Sequence, residues 1–185
     1  MRVRHILGAL LVAMLGLGPA LAQQVAAPAP QILTLDQDLL YANSLYGKAL
    51  EAKSTTATQA LAAENRQIEA DLAAEEAALT EQRATATPQA FRIMADAFDT
   101  KVERIRAEQD TKARDLTTAR DAGRKQFFDA AIPVLADLMR TEGALAILNR
   151  SAVVLSFDAI DITARAITAI DAKLGDGTTA PLPAP

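Results

Sequence analysis

Between Lys48 and Ala122 the chain has no glycine and a single proline, Pro88. The stretch is rich in Ala, Glu, Gln, Arg and Leu, the strong helix formers. It predicts two long helices broken near Thr85-Ala86-Thr87-Pro88. Thr87 suits an N-cap, and Pro88 suits the first turn, where its missing N–H removes no hydrogen bond. The first helix, roughly Ser44 to Ala84, would span ~60 Å at 1.5 Å per residue. A compact domain of this size cannot contain such a rod. The two helices must therefore project as an antiparallel hairpin.

The apolar spacing in the run describes a narrow coiled-coil seam. Leu61, Asn65, Ile68, Leu72, Glu75 and Leu79 recur with alternating steps of four and three, as do Phe98, Val102, Ile105, Gln109, Lys112 and Leu116. Several of these positions are polar and alanine fills much of the rest. Such a seam buries little area, so the hairpin should be marginal and mobile.

Large apolar residues gather at the two ends of the chain. Gln31 to Asp36 (QILTLD) reads as a short strand. Phe127, Phe128, Ile132, Val134, Leu135, Leu138 and Met139 form a dense group, in which Pro133 should kink or restart the helix. Gly143 suits a helix C-terminus. Ala144 to Leu148 and Ala152 to Phe157 read as two strands turning at Asn149-Arg150-Ser151. Asp161-Ile162-Thr163 opens a last helix with Ile162, Ala166, Ile167 and Ile170 on one face, ended by Gly175. The strand near residue 32 and the two near 146 and 154 must meet to make a core. Three short strands form a small patch, which another copy or the last helix would have to cover.

The first 22 residues read as a secretory signal peptide cleaved after Ala22. Arg2, Arg4 and His5 precede a short apolar run from Ile6 to Leu17, and Ala20-Leu21-Ala22 supplies the small residues a signal peptidase reads. The run is shorter than the ~20 residues of a membrane span; an uncleaved anchor is the alternative. Gln23 to Pro30 reads as an Ala/Pro linker, residues 31–174 as one domain and residues 175–185 as a disordered tail. Within the domain, 31–43 and 124–174 would form the body and 44–123 the arm. Of the 19 Lys and Arg and 23 Asp and Glu, cleavage removes only Arg2 and Arg4, leaving 17 against 23, a net of −6. So acidic a chain is a poor binder of nucleic acid or of an anionic membrane surface.

Catalytic chemistry is hard to find. The one histidine, His5, belongs to the signal peptide, and there is no cysteine. The usual transition-metal ligands and Cys/His nucleophile pairs are therefore missing, as is a glycine-rich phosphate loop. The sequence points to a non-enzyme that needs no cofactor. What remains is surface, above all the hairpin tip with Leu79, Phe91, Ile93, Met94 and Phe98. Leu79 and Phe98 fit the seam. Phe91, Ile93 and Met94 cannot all face it, because successive helical residues lie about 100° apart. The tip is either a candidate contact surface for apolar clients or a plug against fraying.

The layout resembles the Skp/OmpH family of periplasmic chaperones. Ser44-Leu45-Tyr46-Gly47-Lys48 is similar to the family's lead into its long helix. Glu142 to Leu148, Ser151 to Leu155 and Asp161-Ile162-Thr163 resemble its later strands and the entry to its final helix. The resemblance runs from about Gln31 to Leu174. It implies a mainly α fold, a helical hairpin arm projecting from a small β body that oligomerisation completes. It also implies a homotrimer whose arms enclose unfolded outer-membrane proteins, acting as an ATP-independent holdase. One departure concerns charge. Family arms are basic, whereas the first arm helix here carries seven acids against four bases, and the second nine bases against seven acids. No lipid-binding residues carry over. The alternative is a periplasmic coiled-coil adaptor that docks on an envelope partner, although adaptors of that kind carry larger domains on both flanks of the hairpin.

Overall fold

The computed structural model describes residues 32–178. The expected signal peptide and linker lie outside the described residues, as do residues 179–185 of the expected tail. The elements run β1 (Ile32–Leu35), α1 (Gln37–Asn43), α2 (Leu45–Gln82), α3 (Pro88–Thr141), β2 (Ala146–Asn149) and α4 (Thr163–Leu174). Two short 3₁₀ turns, Arg150–Ala152 and Asp158–Ile160, join β2 to α4.

Each break has a local cause. The Asp36 carboxylate accepts hydrogen bonds from the backbone N–H groups of Asp38 and Leu39 and starts α1. Ser44 leaves the helical region and ends α1, and its hydroxyl accepts from Gly47 N–H at 3.1 Å to start α2. Gly47 is obligatory there, because a Cβ would lie 1.8 Å from the Tyr41 carbonyl oxygen. At the far end Thr87 caps α3 through Ala90 N–H with Pro88 in the first turn, as the sequence predicts. Gly143, at a φ of 67°, ends α3.

α2 and α3 form the arm. At 1.5 Å per residue, α2 with 38 residues is about 57 Å long and α3 with 54 about 81 Å. The part of α3 beyond the arm packs into the body. There Phe127, Ala131 and Val134 are buried at helical spacing, together with Leu33, Leu35, Leu40, Tyr46, Ile162, Ala166, Ile170 and Leu174. Phe127 is the hub, meeting Tyr41 at 5.2 Å, Tyr46 at 5.6 Å and Phe128 at 5.1 Å between ring centroids, all edge-on. The Asp171 carboxylate on α4 accepts from Leu45 N–H at 2.7 Å and so ties the first residue of α2 to the body.

Two sequence expectations are corrected. Pro133 neither ends nor restarts the helix; α3 runs through it to Thr141. The missing N–H frees one carbonyl, while Ala131 and Val134 stay buried on either side and hold the backbone in place. The second of the expected late strands does not form within one chain. The sheet has two strands, β1 and β2, paired in parallel with Leu33 opposite Ile147 and Leu35 opposite Asn149. The outer edge of β1 is taken by a bridge between Thr34 and Asp161, with Ile162 N–H donating to the Thr34 carbonyl. The Asn149 carboxamide accepts from Ser151 N–H and turns the chain from β2 into the 3₁₀ segment. Residues 153–157 are left without a strand partner. The first tail residues turn back on the body, where Gly177 lies so close to Tyr46 that a Cβ would come 2.1 Å from its ring.

Asp161 organises the entry to α4. Partial burial alone would raise its carboxyl pKa, but hydrogen bonds from the Thr163 side chain and backbone and from Arg150 outweigh it and hold it below the usual carboxylate range. A depressed pKa contributes stability that is present above the unfolded value of about 3.9 and is lost as pH falls through the folded value. Asp161→Ala should therefore cost about 1 kcal/mol at neutral pH. In denaturant titrations that difference should shrink steadily below about pH 4.

Candidate functional site

No residue from Lys48 to Gln126 is buried. Leu61, Asn65, Ile68, Leu72, Glu75 and Leu79 on α2 are half-buried, as are Phe98, Val102, Ile105, Gln109 and Leu116 on α3. The seam read from the sequence is thus the seam of the arm, except that Lys112 is exposed. Its polar positions are used. Lys101 pairs with Glu75 across the arm. Glu64 accepts from both Lys112 and Gln109, the latter at 3.1 Å. The hydrogen bond from Lys112, then that from Gln109, lowers the Glu64 carboxyl pKa. Lys101 and Glu64 lie outside the heptad positions, so the spacing gave no sign of these pairs; only their opposite charges did.

At the tip the five candidate contact residues divide. Leu79, Phe91, Met94 and Phe98 are half-buried, and Ile93 stands 62% exposed. The Arg83 guanidinium lies 5.5 Å over the Phe91 ring, which holds the loop against α3. The geometry thus separates a capped tip plug from one outward-facing aliphatic residue.

Where the arm meets the body, the helices separate around a cleft of about 410 Å³ lined by Tyr41, Leu50, Ala57, Leu116, Ala119 and Gly123. Alanine and glycine are too small to close it. On the body, α3 ties to α4 through Asp137, whose carboxyl is lowered first by the hydrogen bond from Lys173 and then by that from Arg140.

The larger apolar surface is one that sequence reasoning did not single out as a site. Val154, Leu155 and Phe157 are 104%, 90% and 86% exposed. Leu145, Leu148 and Ile132 are also exposed on the body. A shallow groove of about 290 Å³ runs beside β2, lined by Leu35, Ile132, Leu135, Met139, Ile147 and Leu148. The signal for it was present in the run of Val, Leu and Phe that reads as a strand, because such a run without a partner strand is a surface. Among the described residues no helix is long and apolar enough to cross a membrane, and no group of three His, Cys, Asp or Glu could hold a metal ion.

A half-packed helical hairpin rising from a small parallel sheet and a terminal helix defines an arm-bearing class of protein. The chain belongs to the family described as outer membrane protein (OmpH-like), whose model matches residues 31–170. Its fold is similar to that of a Caulobacter crescentus CB15 protein, described as an OmpH-like outer membrane chaperone. The two align with a TM-score of 0.76 at 21% sequence identity, over 81% of this chain and 89% of that one. No curated relative matches the chain.

The division at the tip gives a test. Ile93→Ser should leave the free energy of unfolding within about 0.5 kcal/mol of wild type, because the residue is exposed. Phe91→Ser should loosen the tip, read as faster amide exchange between residues 80 and 95. Equal effects of the two on exchange would contradict this packing of the tip.

Proposed function

We propose that the chain is an ATP-independent holdase chaperone of the periplasm that shields unfolded outer-membrane proteins between helical arms. The arm carries this reading: a helix of about 57 Å, α2, that buries no residue from Lys48 to its tip is poorly suited to rigid catalysis or to a fixed docking face. It can adapt to many chains, since weakly packed segments open at low cost. Export follows from the signal peptide read in residues 1–22, and family membership supports outer-membrane clients. The candidate client contacts are Leu79, Phe91, Ile93, Met94 and Phe98, with Ile93 the one most open to solvent. No cofactor is needed.

The working form is a homotrimer. Residues 153–157 are extended in composition and unpaired, and β2 has a free edge beside an apolar groove. The segment of one copy, laid on β2 of the next, would complete the sheet and cover Leu148 and Ile132. Three arms would then project from one base and enclose a space.

The holdase reading is tested by diluting a urea-unfolded outer-membrane barrel into buffer. A stoichiometric amount of the protein should suppress light scattering without nucleotide; scattering unchanged at excess protein would overturn the reading. Leu155→Asp should place an unpaired charge in the subunit contact. Sedimentation should then show monomers while helical circular dichroism is retained. A wild-type protein that sediments only as a monomer would sink the trimer.

A further inference from the structure

Along the arm the seam alternates in character. Glu75 with Lys101 forms one polar layer, and Glu64 with Gln109 and Lys112 forms another. Between them lie Ile68 and Leu72 on α2 and Val102 and Ile105 on α3. These are the cross-helix side-chain hydrogen bonds of the arm among the described residues. The two layers differ in one respect. Gln109 donates through Nε2 to Glu64, but its Oε1 is shut off from solvent and accepts no hydrogen bond. A buried acceptor left unsatisfied costs about 1–3 kcal/mol, while an exposed ion pair contributes about 0–1 kcal/mol. Closing the seam at this layer therefore gains little or is opposed. Closing it at Ile68, Leu72, Val102 and Ile105 removes apolar surface from water and is favoured.

We infer that the Glu64–Gln109–Lys112 layer is a built-in opening point of the arm, where α2 and α3 part first and the outer and inner segments move apart. Opening there hydrates the Gln109 carbonyl oxygen and loses one half-exposed ion pair. The apolar stretch toward the tip stays zipped, and Arg83 over Phe91 keeps the loop closed. The arm then bends between its middle and its root without unravelling. What this bending serves rests on the holdase reading: a segmented arm closes on clients of different bulk. The opening itself does not depend on that reading.

The test is amide hydrogen exchange followed by mass spectrometry on the free protein. Peptides around residues 60–67 and 106–113 should exchange faster than those around 68–79 and 98–105. Gln109→Leu removes the orphaned acceptor and adds an apolar seam residue with good helix propensity, so the variant should fold. It should slow exchange at the layer roughly tenfold and leave the tip unchanged. Uniform exchange along the arm, or no slowing in Gln109→Leu, overturns the opening point whatever the variant does to clients. The same variant in the barrel-dilution assay should hold bulky barrels less well. Slowed exchange with unaltered holding overturns only the link to clients.

Discussion

The packing around Phe127 divides this molecule in two. Its ring is fully buried and meets Tyr41, Tyr46 and Phe128 in edge-to-face contacts, so α1, α2 and α3 are joined at one point. Aromatic contacts of this kind add ~0.5–1.5 kcal/mol each beyond the area they bury. Going outward from Phe127 along α3 and back down α2, the next buried residue is Gly47. Everything between is a cantilever held at its foot. The direction of that cantilever is set by two polar contacts, Ser44 on Gly47 and Asp171 on Leu45, which fix the first turn of α2 against the terminal helix.

The sheet depends on the same geometry. β1 and β2 are parallel, and the whole arm lies between them in sequence. Bringing Leu33 beside Ile147 requires closing a loop of more than a hundred residues, at an entropic cost that grows with the logarithm of its length. A hairpin of two helices removes most of that cost by returning the chain to its starting point. The arm need not be rigid for this. It needs only to be helical, which its glycine-free composition provides without a deep core. Body and arm thus have different requirements: dense packing near Phe127, propensity and a thin seam beyond it.

What was legible in the sequence was local or periodic. The helix break at Thr87-Pro88, the ends at Gly143 and Gly175 and the seam residues other than Lys112 each follow from a few neighbouring side chains, and the structure has them where the sequence puts them. Pro133 was misread because tertiary burial of Ala131 and Val134 overrides a local breaker. Residues 152–157 were misread as a strand because Val and Leu report a preference for sheet, and a sheet needs a neighbour that propensity does not supply. The family was readable from the order of short motifs around the helical run. Ile93 was named among the tip residues, but its separation from Phe91 and Met94 needed the seam direction, which only the fold gives. The cross-arm pairs of Glu64 and Lys101 were hidden because both residues flank the heptad positions.

The exposed strip on the body bears on how arms and base relate. Burying a Val, Leu or Phe fully is worth ~1.5–3 kcal/mol, and association costs an estimated ~4–15 kcal/mol. Val154, Leu155 and Phe157 alone would therefore do little more than balance that cost. The groove beside β2 and the free backbone edge of β2 must add to them, so an assembly through this strip would bury side chains and pair strands together or not at all. In the proposed trimer this places all the cooperative association in the base. None of it involves the arm seam, where Gln109 stays orphaned and the ion pairs stay half in water. Tight association of the base and loose packing of the arm are then compatible in one chain. They draw on surfaces that the Phe127 cluster keeps apart.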